Sequence, residues 1–137
     1  KDPQMVMQLQ GFKLSVMMQT GTEESKLIPV AKEVLKSMAS EPMAFNNLAW
    51  AISEQASAGV FSDKAFLAEV AAMSEKAAEA GPKEDDWQIW DTAGHLYYQA
   101  GNLDKAIETQ RKAVANPNSA QSPEVAEFLK QLEAEKK

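Results

Sequence analysis

Apolar residues recur at helical spacing along almost the whole chain, and the strict alternation typical of β-strands is hard to find. The C-terminal segment shows the helical pattern most clearly. Its apolar residues follow the i, i+3, i+4, i+7 stripe of an amphipathic helix: Val125, Phe128, Leu129 and Leu132. Ser122 precedes this stripe as a helix cap, and a proline follows it at the first helical position. The pattern predicts an all-α protein.

Glycine, proline and small polar residues divide the chain into seven helices of roughly 12 to 18 residues each. Six of them are predicted to form three antiparallel pairs, at about 3–40, 43–82 and 85–117, and a last helix at about 122–135 caps the end. The chain starts with "KDPQ" and has neither an initiator methionine nor a signal-peptide layout. We therefore expect residues 1–137 to be one domain of a longer protein.

The third pair carries an ordered set of packing and turn residues: Trp90, Gly94, Tyr97, Gly101, Ala106, Ala113 and Pro117. A second copy places Phe45, Ala49 and Ile52 at equivalent positions, with nine extra residues between its two helices. This order resembles the tetratricopeptide repeat, in which Gly94 would allow the two helices of a pair to approach closely. Gln110 departs from the pattern, because a large apolar residue is usual there. The resemblance implies an α-solenoid.

A narrower resemblance involves the segments "NNLAWAIS", "SEKAAEAGP", "WDTAGHLYYQAG" and "DKAIETQRKAV". Together they are similar to the helical-repeat extension that follows a thioredoxin-like domain in some bacterial redoxin-type proteins. The resemblance implies an N-terminal thioredoxin-like domain in the same polypeptide as a partner, and an extracytoplasmic (periplasmic) location; without that setting, a cytoplasmic location is expected. The chain has no cysteine, so any thiol chemistry would belong to the other domain.

In such solenoids, the first helix of each pair lines a concave surface that binds other proteins. The resemblance therefore implies partner-binding residues, together with Met43 and Thr92 on the same face: Asn46, Asn47, Trp50, Glu54, Gln88, Asp91, His95, Tyr98 and Gln99. Two aromatic residues are open to two interpretations. Trp50 is either a groove residue or a core residue, and Phe61 in the inserted segment is either buried or offered to a partner.

The formal net charge of −6 argues against nucleic-acid binding, which needs a basic face to release counterions. No run of apolar residues is long enough to span a membrane. Tetratricopeptide domains that hold the acidic tails of heat-shock chaperones use lysine and arginine in the groove, but residues 84–104 contain neither. We expect the partner to be a protein or peptide segment of neutral to basic character.

An enzymatic alternative rests on Asp91 and His95, which are four residues apart and share one helix face. Such a pair could orient a general base in a hydrolase or supply half of a metal site. No motif for a nucleophile, a zinc helix or a phosphate loop accompanies it. We therefore predict a non-catalytic interaction module without a cofactor or metal. The alternative is a spacer or dimerisation element of the parent protein.

Overall fold

The computed structural model describes residues 2–137, and within this range it contains α-helices and no β-strand, which confirms the all-α prediction. Seven α-helices follow one another along the described residues: α1 (Pro3–Gln19), α2 (Glu24–Ser37), α3 (Pro42–Ser57), α4 (Lys64–Ala80), α5 (Asp86–Gln99), α6 (Leu103–Ala115) and α7 (Pro123–Lys136). A short 3₁₀ helix, Pro117–Gln121, precedes α7.

Short polar side chains begin several of these helices. The Asp63 carboxylate accepts a hydrogen bond from the Phe66 backbone N–H at 3.1 Å, and the Asn102 side chain accepts one from Lys105 at 3.1 Å. Each bond satisfies a backbone donor that the helix itself leaves unpaired. Ser122 occupies the N-cap position of α7, as predicted, but its side chain makes no capping bond. Gly101 has a φ of +83° in the turn between α5 and α6, where glycine avoids a steric penalty.

One cluster of buried apolar side chains extends through the chain from Leu14 in α1 to Leu132 in α7. Each α-helix contacts the next one along the chain, and α3 also contacts α5. Phe61, in the segment between α3 and α4, belongs to this core, because only 2% of it is exposed and its ring packs against Phe66 at 5.3 Å between centroids. Of the two interpretations of Phe61, the buried one is correct.

The α1–α2 pair is attached to the loop that precedes α4. The Glu24 carboxylate accepts hydrogen bonds from the Ser62 and Asp63 backbone N–H groups at 2.8 and 2.7 Å and from the Ser62 hydroxyl at 2.8 Å. A surface ion pair between Lys32 and Glu69, at 3.6 Å, joins α2 to α4. Hydrogen bonds to a charged group are the stronger kind, so Glu24 carries more of this attachment than the exposed ion pair does.

A buried amide joins the last three α-helices. Gln110 on α6 is fully buried, and its Nε2 donates to Asp91 Oδ1 on α5 at 2.6 Å and to the Val125 carbonyl on α7 at 3.0 Å. This explains the departure from the apolar pattern at position 110. Gly94 makes room for the amide, because a Cβ at that position would overlap Gln110 Oε1. Gly94 is therefore small where α5 and α6 approach closely, as predicted.

We predict that Gly94→Ala destabilises the fold by about 1–2 kcal/mol, because the new methyl group displaces an amide that two hydrogen bonds hold in place. Gly11→Ala is the matched control. A Cβ there meets only Met38 Cε at an ordinary 3.8 Å, so helix propensity should stabilise this variant by about 0.5–1 kcal/mol. Urea unfolding followed by circular dichroism measures both changes. Equal effects of the same sign would contradict the assigned role of Gly94.

Candidate functional site

The helices α3 and α5 lie side by side and run in the same direction. At their C-terminal ends, Gln99 Nε2 donates to the Ser53 carbonyl and to the Ser57 hydroxyl, each at 3.0 Å, and Gln99 Oε1 accepts from the Ser53 hydroxyl. One to two turns earlier, the ring of His95 meets Trp50 edge to face, with 5.2 Å between centroids. The two helices are therefore held together at one end and in the middle.

Toward the N-terminal ends of α3 and α5, an open space lies between the two helices. This α3/α5 cleft has a volume of about 290 Å³ and is lined by Asn46, Asn47, Trp50, Trp87, Gln88, Asp91 and Thr92. The structure thus brings five of the nine predicted partner-binding residues to one cleft. Trp50 is 37% exposed, which agrees with the groove interpretation of this residue rather than the core interpretation.

Two side chains in the wall of the α3/α5 cleft have polar atoms without a partner. Among residues 2–137, four buried polar side-chain atoms make no hydrogen bond. Two of them are Ser74 Oγ and Gln110 Oε1, and the two in the cleft lining are Asn46 Oδ1 and Trp87 Nε1. An unsatisfied buried polar atom costs about 1–3 kcal/mol, so a ligand that satisfies it gains this free energy back. Both atoms are covered in the free protein, and a ligand reaches them only when the side chains of the wall rotate. The wall therefore holds one unused acceptor and one unused donor.

Trp87 lines the cleft but was not among the predicted partner-binding residues. Trp87 lies four residues before Asp91 and eight before His95, so it continues their stripe on α5 toward the helix start. This spacing is the signal that could have identified it. Thr92 lines the cleft as well, but it is buried, and its hydroxyl donates to the Gln88 carbonyl one turn earlier at 3.0 Å.

The other four predicted residues lie outside the cleft. Glu54 is exposed on α3, and Gln99 is used in the bonds to Ser53 and Ser57. The remaining two residues are in contact with α7. Its Phe128 stacks on His95, with 3.8 Å between centroids and 3° between the rings, and its Glu135 accepts a hydrogen bond from the Tyr98 hydroxyl at 3.1 Å. The C-terminal half of the α5 face is therefore covered by the chain itself.

Asp91 and His95 are close but loosely spaced, with 3.6 Å between Asp91 Oδ1 and His95 Nε2. Burial raises the pKa of the Asp91 carboxyl, although the hydrogen bond from Gln110 and the nearby imidazole oppose the shift. Burial also lowers the pKa of His95, against the opposing effect of Asp91. Burial therefore favours the neutral imidazole, and the ring of His95 packs as an aromatic group between Trp50 and Phe128.

The α3/α5 cleft is acidic. Asp91 is the charged residue in its lining, and the nearby Glu124 adds to the negative potential at Asp91. No basic side chain belongs to the lining. Within residues 2–137, no group of three or more histidine, aspartate or glutamate side chains is arranged to hold a metal ion. In the same range, no helix has both the length and the apolar character needed to cross a bilayer.

Comparison with protein-family models, with curated proteins and with solved structures finds no match to this chain.

We predict that the stability of the fold decreases as the pH falls below about 6.5, the ordinary pKa of histidine. The lowered pKa of His95 means that the unfolded chain binds a proton more readily than the folded one, so acid favours unfolding in this range. Thermal unfolding at about pH 7.5 and about pH 5.5 measures the effect. His95→Phe, which keeps an aromatic ring against Phe128 but cannot be protonated, should lose less stability than the wild type.

His95 is the single histidine of the chain, so no other imidazole contributes to this difference. Parallel losses of stability in the two proteins would contradict a lowered pKa at His95.

Proposed function

We propose that this domain is a protein-interaction module whose α3/α5 cleft binds an extended peptide segment of a partner protein. The observation that carries the proposal is the combination, in one cleft, of an exposed tryptophan with the unpaired Asn46 Oδ1 and Trp87 Nε1. An extended peptide offers a donor and an acceptor at every residue, so it is the natural complement of such a wall. Trp50 supplies the apolar contact area that anchors many interfaces.

The charge of the cleft indicates which peptides bind. Asp91 lies in the lining and Glu124 is nearby, while the lining has no basic residue to pair with a carboxylate. This negative potential attracts a basic segment, does not oppose a neutral one and repels an acidic one. The partner segment therefore carries lysine or arginine, or no charge, where it passes Asp91.

The helix packing supports a tetratricopeptide-like solenoid as the architecture. Successive helices contact each other, and α3 lies against α5. Gly94 leaves space between α5 and α6, and Gly101 forms the turn between them, as this repeat requires. In this arrangement α3 and α5 are the first helices of consecutive pairs. The cleft between them would then lie on the concave side, where these proteins bind their ligands.

The partner segment comes from a separate protein or from another domain of the same polypeptide. The similarity to redoxin-type extensions makes a thioredoxin-like domain the candidate for the second case. In both cases the domain acts by binding and not by catalysis. The imidazole of His95 supports this view, because it lies between Trp50 and Phe128 and is 3.6 Å from Asp91 instead of in a hydrogen-bonded pair.

We predict that the domain selects peptides rich in lysine and arginine from a phage-displayed random peptide library. The selected peptides should change the fluorescence of Trp50, which is 37% exposed while Trp87 and Trp90 are 6% and 7% exposed. Trp50→Ala should weaken binding by roughly tenfold or more, because it removes the anchor of the site. Titration of a synthetic copy of the selected peptide measures the affinity.

Asp91→Asn tests the charge of the site, because the asparagine keeps an oxygen for Gln110 and loses the negative charge. Asp91→Asn should lower the affinity for the basic peptide by about threefold to tenfold. Glu79→Gln makes the same charge change at an exposed position on α4 and should leave the affinity unchanged. Equal affinities of the two variants, or selection of acidic peptides, would contradict the proposed site.

A further inference from the structure

The first helix has apolar residues on two opposite sides. Leu14 and Met18 belong to the buried core. On the other side, five large apolar residues of α1 are exposed, by 58%, 39%, 62%, 70% and 41% in chain order: Met5, Val6, Leu9, Phe12 and Val16. The one other exposed large apolar residue among residues 2–137 is Trp50 in the cleft. The α1 surface is therefore the main apolar area that the described chain leaves uncovered.

Four of these residues form a straight stripe, which we call the α1 stripe: Met5, Leu9, Phe12 and Val16. Their spacing of four, three and four residues is the repeat that keeps one side of a helix facing a partner helix in a coiled coil. The stripe therefore has the geometry of a helix–helix seam.

The surroundings of the α1 stripe are neutral. Lys13 is the single charged residue between Pro3 and Gln19, although the chain as a whole has a formal net charge of −6. Two acidic surfaces would repel each other when two copies approach. The nearly uncharged α1 helix avoids this electrostatic repulsion. Gln8 and Gln19 lie beside the stripe and can form hydrogen bonds across a seam without a charge partner.

The α1 stripe is complementary to itself when two copies run antiparallel. A two-fold axis between residues 10 and 11 places Met5 of each copy opposite Val16 of the other, and Leu9 opposite Phe12. Every layer then pairs a larger side chain with a smaller one, which fills space more evenly than Phe12 against Phe12. The two helix dipoles also oppose each other favourably in this orientation.

The exposed area of the α1 stripe supplies most of a small interface. With a large apolar residue at roughly 150–200 Å² when fully exposed, the four residues of the α1 stripe leave roughly 350–460 Å² exposed on each copy. Two copies together would bury roughly 700–900 Å² from the stripe, and its polar neighbours have to supply the rest of the ~1,000 Å² that a specific interface needs. A contiguous apolar surface of this size is comparable to the largest patch of a typical monomer, and such a patch is often a binding surface.

We propose that a second copy of this chain covers the α1 stripe, so that two domains associate through antiparallel α1 helices. This homodimer is independent of the α3/α5 cleft, which stays open in each copy. It would present two peptide sites on one particle.

Sedimentation velocity of the 137-residue chain tests the association. We expect a dimer at micromolar concentrations and a monomer for Leu9→Glu and for Phe12→Gln, since each variant puts a polar group into the seam. Gln4→Glu is the control, because it adds a charge to the same helix away from the stripe and should leave the dimer intact. Circular dichroism should show equal helix content in all four proteins, because these side chains lie outside the core.

The orientation is tested with single cysteines, which are informative because the chain has none of its own. In an antiparallel pair, an oxidised mixture of Met5→Cys and Val16→Cys should form the mixed disulfide, because these positions face each other. Met5→Cys alone should not, because its two copies are about 16 Å apart along the helix axis. A monomeric wild type, a dimer that survives Leu9→Glu, or efficient linkage of Met5→Cys to itself would each overturn the proposal.

Discussion

The buried amide of Gln110 is the interaction on which the C-terminal half of the structure depends. It sits on α6, bonds to Asp91 on α5 and to the Val125 carbonyl on α7, and so fixes three helices at one point. It needs Gly94, since any side chain there would occupy the space of the amide. The Nε2 of the amide is satisfied by these two bonds, whereas its Oε1 is buried without a partner among residues 2–137, so the amide costs free energy and in return specifies one arrangement of its neighbours.

The same interaction fixes one wall of the α3/α5 cleft. Gln110 holds the Asp91 carboxylate in place, and Asp91 provides the charge of the cleft lining. From the other side, α7 places Phe128 on His95, which in turn supports the edge of Trp50. The C-terminal helix therefore covers one half of the α5 face and leaves the other half open. The open half carries the exposed tryptophan and the unpaired polar atoms.

The amino-acid pattern predicted the helices well, because helix formation here follows local rules. Periodic apolar residues, caps such as Asn102 and the turn at Gly101 are each visible in a few neighbouring residues. The pattern also placed Asn46, Asn47, Trp50, Gln88 and Asp91 on one surface, and the structure brings these five residues to one cleft. It did not reveal that α7 covers His95 and Tyr98, because an amphipathic stripe does not specify the neighbour against which it packs. For the same reason, the amino-acid pattern does not specify which side of α1 packs on the core and which side stays exposed as the α1 stripe.

Nuclear magnetic resonance of the isotope-labelled domain, titrated with the selected basic peptide, tests most directly whether the α3/α5 cleft is the binding site. If the cleft is the binding site, the largest changes occur at the indole N–H signals of Trp50 and Trp87 and at the side-chain amide signals of Asn46 and Asn47. Signals from α1, α2 and α4 should remain in place. Changes that cluster on those three helices, with the two indole signals unmoved, would contradict binding in the cleft.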